Sequence, residues 1–177
     1  MTRSILLSLS LAAALCLGAA QNLEQFAKAH LPNGMELAHP PLEGSFGPPG
    51  RHIVLLYRPE LEDGEFKGTV YLDGDRPRDL PPMGLIPNQF AIDVKAVFFE
   101  KAEAHAAGPA LIILYGYHRN GSESDDSSAC LIYQWRDNQF VRLPELEKKV
   151  ASLTTASAVR KRLRQIVMEA TPGDKKK

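Results

Sequence analysis

"LIILYGYH", residues 111–118, is apolar on both of the faces that a strand presents. Successive side chains of a strand point to opposite sides, so apolar residues at every position need cover on both. The segment therefore reads as the central strand of a sheet, and the neighbouring segments arrange themselves around it.

On its N-terminal side, "QFAIDVKAVFFE" (89–100) is a second, longer strand. Phe90, Ile92, Val94, Ala96 and Phe98 alternate onto one face, with Ala91, Asp93 and Lys95 on the other. One polar face predicts an antiparallel sheet that meets water on one side at that end. On the C-terminal side, "CLIYQW" (130–135) and "QFVRL" (139–143) flank Arg136, Asp137 and Asn138. Asp and Asn tolerate left-handed backbone angles, so a tight hairpin is expected there.

Nearer the N-terminus, "HIVLLY" (52–57) and "FKGTVYLD" (66–73) are further strands, joined through Asp63-Gly64. Residues 38–50 hold four prolines and three glycines and are expected to be an extended loop. Residues 74–88 are expected to be loop as well, with Met83, Leu85 and Ile86 tucked against a core. Residues 22–31 place Leu23, Phe26 and Ala27 on one helical face, with Asn22 to cap it and Pro32-Asn33-Gly34 to end it. At the C-terminus, Leu146, Val150 and Leu153, then Val159, Leu163, Ile166 and Val167, recur at helical spacing. Thr155 or Ser157 is placed to cap the second helix, and Arg160, Lys161, Arg162 and Arg164 lie on its outer side. The expected fold is α+β: a mainly antiparallel sheet of about five strands, with N- and C-terminal helices packed on it.

The chain begins "MTRSILLSLSLAAALCLGAAQ". Arg3, an apolar run to Leu17, and the small residues Gly18, Ala19 and Ala20 form the three regions of a secretory signal peptide, cleaved after Ala20. The run is shorter than the roughly 20 apolar residues of a membrane span. Cys16 lies at a lipoprotein depth, but Leu15 before it is bulky where a small residue is wanted. The expected layout is a signal at 1–20, a helix and Pro/Gly-rich linker at 21–50, one domain at 51–170, and a disordered basic tail at 171–177. A soluble secreted or periplasmic protein follows, with no membrane span after cleavage.

After cleavage Cys130 is the single cysteine, so no internal disulfide and no cysteine-based zinc site is available. Residues 21–143 carry 11 basic and 17 acidic side chains, and residues 144–177 carry 9 and 4. The basic end lacks interleaved aromatics, which argues against nucleic acid and for a solvated helix face docked on an acidic body. The five histidines, at 30, 39, 52, 105 and 118, show no zinc-ligand spacing. There is no GxSxG and no glycine-rich phosphate loop, and no cofactor is expected.

Two constellations remain. His118 with Asp125 or Asp126 is the only catalytic candidate, that of an envelope hydrolase. Glu123, Asp125 and Asp126 are the only candidate metal ligands, for calcium, although their spacing is not that of an EF-hand. Residues 120–128, with four serines and three carboxylates, read otherwise as a mobile hairpin tip. For binding, the candidates are Tyr115, Tyr117, Arg119, Tyr133 and Trp135, whose aromatic rings form a surface if their strand faces are open and are otherwise core.

Residues 97–143, from "VFFEKAEAHAAG" to "YQWRDNQFVRL", resemble secreted bacterial proteins of unknown function and, more distantly, repeats of the FG-GAP or VCBS type. Tyr133, Trp135 and Phe140 match the hairpin of those repeats. Of the acidic loop that precedes it there, Glu100, Glu103 and His105 stand near the acidic positions here, while Ala104, Ala106 and Ala110 offer no calcium ligand. The functional expectation is an exported, non-catalytic binding or structural domain whose partner is a protein or an envelope glycan.

Overall fold

The computed structural model describes residues 22–60, 65–84, 89–119 and 127–171, and the side chains of 89–92, 118 and 119 lie outside the description. Two four-stranded antiparallel sheets are seen rather than one sheet of about five strands. The first runs β1 (Met35–Gly44), β2 (His52–Pro59), β3 (Lys67–Leu72) and β4 (Arg76–Asp79), and the second runs β5 (Gln89–Glu100), β6 (Ala110–Arg119), β7 (Ser127–Arg136) and β8 (Gln139–Arg142). Each is a meander in which every strand pairs with the next. Three helices accompany them among the described residues: α1 (22–30), α2 (Pro144–Val150) and α3 (Ala156–Ala170).

The sheets face each other. Val54, Leu56, Val70 and Leu72 of the first meet Leu111, Ile113, Leu131 and Tyr133 of the second, with Phe46 and Phe140 filling the ends. The far side of the second sheet is closed by α2 and α3, where Val150, Val159 and Leu163 cover Phe98, Ile112 and Ile132. The far side of the first is covered by α1, with Ala27 against Leu55 and Tyr71. Helices therefore lie outside both sheets, in four layers. β6 is the centre of this stack: Leu111, Ile112, Ile113 and Leu114 are each at most 1% exposed, although they alternate between the two cores. At about 2 kcal/mol per fully buried aliphatic side chain, these four residues contribute as much as a typical net folding stability.

Two strands lie where loops are expected. β1 occupies most of 38–50 despite its prolines. Its register jumps from His39 opposite Leu56 to Leu42 opposite Val54, so Pro40 and Pro41 sit in a bulge of an edge strand, where a missing N–H costs no ladder bond. β4 occupies Arg76–Asp79 of the second expected loop. Asp73 (φ 53°), Gly74 (φ 84°) and Asp75 make the three-residue turn that starts it, with an Asp-Gly pair at the two left-handed positions.

β5 also departs from strict alternation. Register shifts between Ala91 and Asp93 and between Val94 and Ala96 turn the strand over. Val94, Val97 and Phe99 then face the first sheet, whereas Ala96 and Phe98 face the helices. Phe98 is buried, as its pattern requires, but in a different core from Val94. Asp93 and Lys95 are exposed as expected.

Three local expectations hold. Asp137 (φ 49°) and Asn138 (φ 63°) form the β7–β8 turn. Thr155 caps α3, its hydroxyl accepting the Ala158 amide at 3.3 Å. The basic face of α3 docks on an acidic residue, for Arg160 and Arg164 both reach Glu100, and Arg160 lies 4.5 Å over the Phe98 ring. No helix among the described residues is long and apolar enough to cross a membrane.

Candidate functional site

β7 decides what faces each core. Cys130 and Ile132 point to the helices, and Leu131 and Tyr133 point to the first sheet. The same alternation sends Gln134 to the helix side and Trp135 inward. Beyond Ile132 the helices no longer cover the sheet closely, and the 101–109 connection between β5 and β6 folds over the gap. A cleft of about 560 Å³ results, bounded by that connection, by Leu146 of α2, and by Ile166, Val167 and Ala170 of α3.

Its walls are short and apolar, because the connection reads "KAEAHAAG" and presents Ala102, Ala104, Ala106 and Ala107. The polar groups are few. Glu103 and Arg136 close on each other as an ion pair at the rim. His105 is exposed on the same connection. Gln134 lies at the floor, 2% exposed. Its Nε2 donates to the Gly108 carbonyl at 3.2 Å, and its Oε1, fully buried, has no partner among the described residues. A buried acceptor left unmet costs about 1–3 kcal/mol, so an orphan of this kind calls for an explanation.

The residues expected to form an aromatic surface are placed otherwise. Tyr115 and Tyr133 are 6% and 2% exposed, inside the space between the sheets. The Tyr133 hydroxyl donates to the Pro81 carbonyl at 3.0 Å. Tyr117 and Trp135 are half-buried and pack on the same core, Trp135 edge-on to Phe140. The open aromatic platform is therefore corrected: β6 and β7 turn these rings toward the other sheet, which a one-sheet reading leaves out. Arg119 and His118 belong to β6, with their side chains outside the described residues.

Glu123, Asp125 and Asp126 lie outside the described residues. Ser127 and Ser128, assigned to the same loop, are the first residues of β7 and pair with Tyr117 and Gly116. Among the described residues no three His, Cys, Asp or Glu side chains come together as a metal site. His52 is a structural residue: it is fully buried, its Nε2 donates to the Pro48 carbonyl at 2.9 Å, and its Nδ1 accepts the Asp73 amide at 3.1 Å. His30 stacks on Phe26 with ring centroids 4.0 Å apart.

The buried titratable groups of the second sheet are held in their neutral forms. Burial pushes the Cys130 thiol up to about 12 and the Tyr115 phenol up to about 12. A thiol so placed is a packing group rather than a nucleophile. A second hollow of about 340 Å³ lies between the sheets beside Leu80 and Met83, and of the two phenols on it, that of Tyr133 is bonded to the Pro81 carbonyl and that of Tyr57 to the Thr69 hydroxyl.

The cleft was missed in the sequence. Its signal was Gln134, a polar residue in phase with Cys130 and Ile132 on a strand otherwise apolar toward the helices. In comparison with known proteins, no family model, no curated protein and no solved structure matches the chain.

Proposed function

We propose that this chain is an exported, non-catalytic binding domain of the periplasm or cell exterior, and that its ligand site is the cleft over Gln134. The observation that carries the reading is the cleft itself. Ligand sites are concave, of about 300–1,000 Å³, mostly apolar, with a few convergent polar groups. The cleft fits that description in volume and in its alanine and aliphatic walls, with Glu103, His105 and Arg136 as its polar groups and Trp135 beside them. The signal-like residues 1–20 support export, and a protein or glycan of the envelope is then the partner.

The alternative, an envelope hydrolase using His118, Asp125 and Asp126, rests on side chains that lie outside the described residues.

The test is to fill the cleft from its rim. Ala170 is exposed at the end of α3, and Ala170→Arg projects a long charged side chain across the opening. Purified wild type and variant are compared, at equal melting temperature, for capture of a partner from envelope extract. Loss of that partner in the variant supports the reading. An identical partner retained at identical affinity sinks it.

A further inference from the structure

We infer that the outer face of α2 and α3 docks the protein, reversibly, on an anionic lipid bilayer. The residues that carry this face, Lys149, Lys161, Arg164 and Met168, do not line the cleft, so the two surfaces are separate.

The first observation is a surplus of one sign of charge. Residues 144–171 hold six Lys and Arg against three Glu and no Asp. One of the three acids, Glu147, is turned inward to Arg142 and is buried. The remaining acids are too few for the cations. Lys148 meets Glu145, and Arg162 meets Glu169 at 3.7 Å. Arg160 and Arg164 share the single carboxylate of Glu100. Lys149 and Lys161 are exposed and form no ion pair among the described residues. At a distance it is the surplus and not the local pairing that sets the field, which reaches about 10 Å at 0.1 M salt.

The second is where the opposite sign lies. The layers put α1 and the first sheet on the other side of the molecule. Residues 22–60 and 65–84, which build that side, carry six basic against eight acidic side chains. Near an anionic surface such a molecule turns its helix side inward. Each Lys and Arg brought close to anionic headgroups then adds to the attraction.

The third separates a bilayer from a soluble polyanion. Residues 144–171 contain no Phe, Tyr, Trp or His, so the face offers no ring on which a nucleic-acid base could stack. Lys161, Arg164 and Met168 follow one another by three and four residues along α3, on the side opposite the buried Val159, Leu163 and Ile166. Met168 is 67% exposed and is the one large apolar side chain left open among the described residues. Beside two cations, an apolar chain enters the boundary between headgroups and acyl chains, where a soluble polyanion offers it nothing.

The experiment is co-sedimentation of the purified protein with vesicles of phosphatidylcholine, alone or mixed with phosphatidylglycerol. The expected result is saturable binding to the mixed vesicles only, weakened at least tenfold as salt rises from about 0.1 M to about 0.5 M. Lys149→Glu with Lys161→Glu should weaken it at least tenfold. Lys28→Glu with Lys67→Glu makes the same change of net charge at exposed residues on the other side, and should stay within about twofold of wild type. Met168→Ser should weaken vesicle binding about threefold and leave retention on dextran sulfate unchanged. All five positions are exposed, so the variants should keep the parent melting temperature. Equal loss in the two charge-reversed pairs, or full binding by the Lys149 and Lys161 pair, would overturn the face as the docking surface. A Met168→Ser variant that binds vesicles like wild type would overturn the bilayer in favour of an anionic polymer. No binding to the mixed vesicles at low salt would overturn the inference altogether. Each of these outcomes leaves the cleft reading standing, because the variants spare its lining.

Discussion

Arg142, the last residue of β8, clasps Glu147 in the following helix with both ends of its guanidinium. Nε lies 2.9 Å from Oε1 and Nη2 lies 2.8 Å from Oε2. The same Oε1 accepts the Ile132 amide of β7 at 3.0 Å, and Arg142 Nη1 donates to the Met83 carbonyl on the connection between the sheets. One carboxylate, 8% exposed, thus ties α2 to β7, and through Arg142 to the crossover. Breaking a buried pair leaves its partner uncompensated, at about 3–5 kcal/mol. Glu147→Ala should therefore lower stability by about 3 kcal/mol, less than the upper figure because Arg142 keeps some solvent. Arg142→Ala together with Glu147→Ala should cost less than the two single losses added, in a urea double-mutant cycle. Strict additivity would show that the clasp carries no coupling.

Phe98 faces the helices and not the other sheet. Phe98→Ala should cost about 3–5 kcal/mol, and Asp93→Ala, at an exposed position of the same strand, should stay within about 0.5 kcal/mol. Because Arg160 lies over the Phe98 ring, Arg160→Ala should lose most of its effect in the Phe98→Ala background. Equal urea midpoints for Phe98→Ala and Asp93→Ala would contradict this register of β5.

Cys130 and Tyr115 give the protein an alkaline limit. Both are acids whose neutral form the fold favours, raised from 9.0 and 10.0 to about 12 by burial. The unfolded chain releases these protons at lower pH than the native one. Stability is therefore fully present below about pH 9 and falls as pH rises toward 12. Urea melts between pH 7 and 11 should show that fall, and Cys130→Ala should remove part of it. At pH 8 the native thiol should resist alkylation that labels it at once in urea. Rapid native labelling would place Cys130 at the surface.

Asp137 and Asn138 hold two consecutive positive φ angles in the β7–β8 turn. Asn138→Gly should be neutral or stabilising by a few tenths of a kcal/mol, and Asn138→Val should cost about 1–2 kcal/mol. A valine variant as stable as the parent would mean that the turn adopts another geometry.

Gly44 stands where β1 comes against β5, and a Cβ there would run into the Phe99 ring. That ring is stacked on Phe46 at 4.3 Å and cannot turn away freely. Gly44→Ala should cost about 1–3 kcal/mol as an overpacked contact, measured by thermal melting. An unchanged melting temperature would show that the edge between the two sheets is looser than its packing implies.

The sequence alone determined what depends on near neighbours. It located strands 52–57, 89–100 and 111–118, the Asp137-Asn138 turn, the Thr155 cap and the amphipathic C-terminal helices, because propensity, period and turn chemistry are local. It also foresaw an exposed Asp93. Where local signals misled, a tertiary partner had changed their meaning. Pro40 and Pro41 read as loop until β2 lay beside them and turned them into an edge bulge. The even alternation of 89–100 hid two bulges that exist only against β6. That a second sheet would face Leu111, Ile113 and Tyr133 was not written in those residues, since apolar cover on both sides is equally met by helices. So only the tertiary structure decided that the aromatic residues are core, and that a chain segment rich in alanine would close over Gln134 to leave a cleft. Such a cleft is a gap between elements distant in sequence, and no single element records its shape.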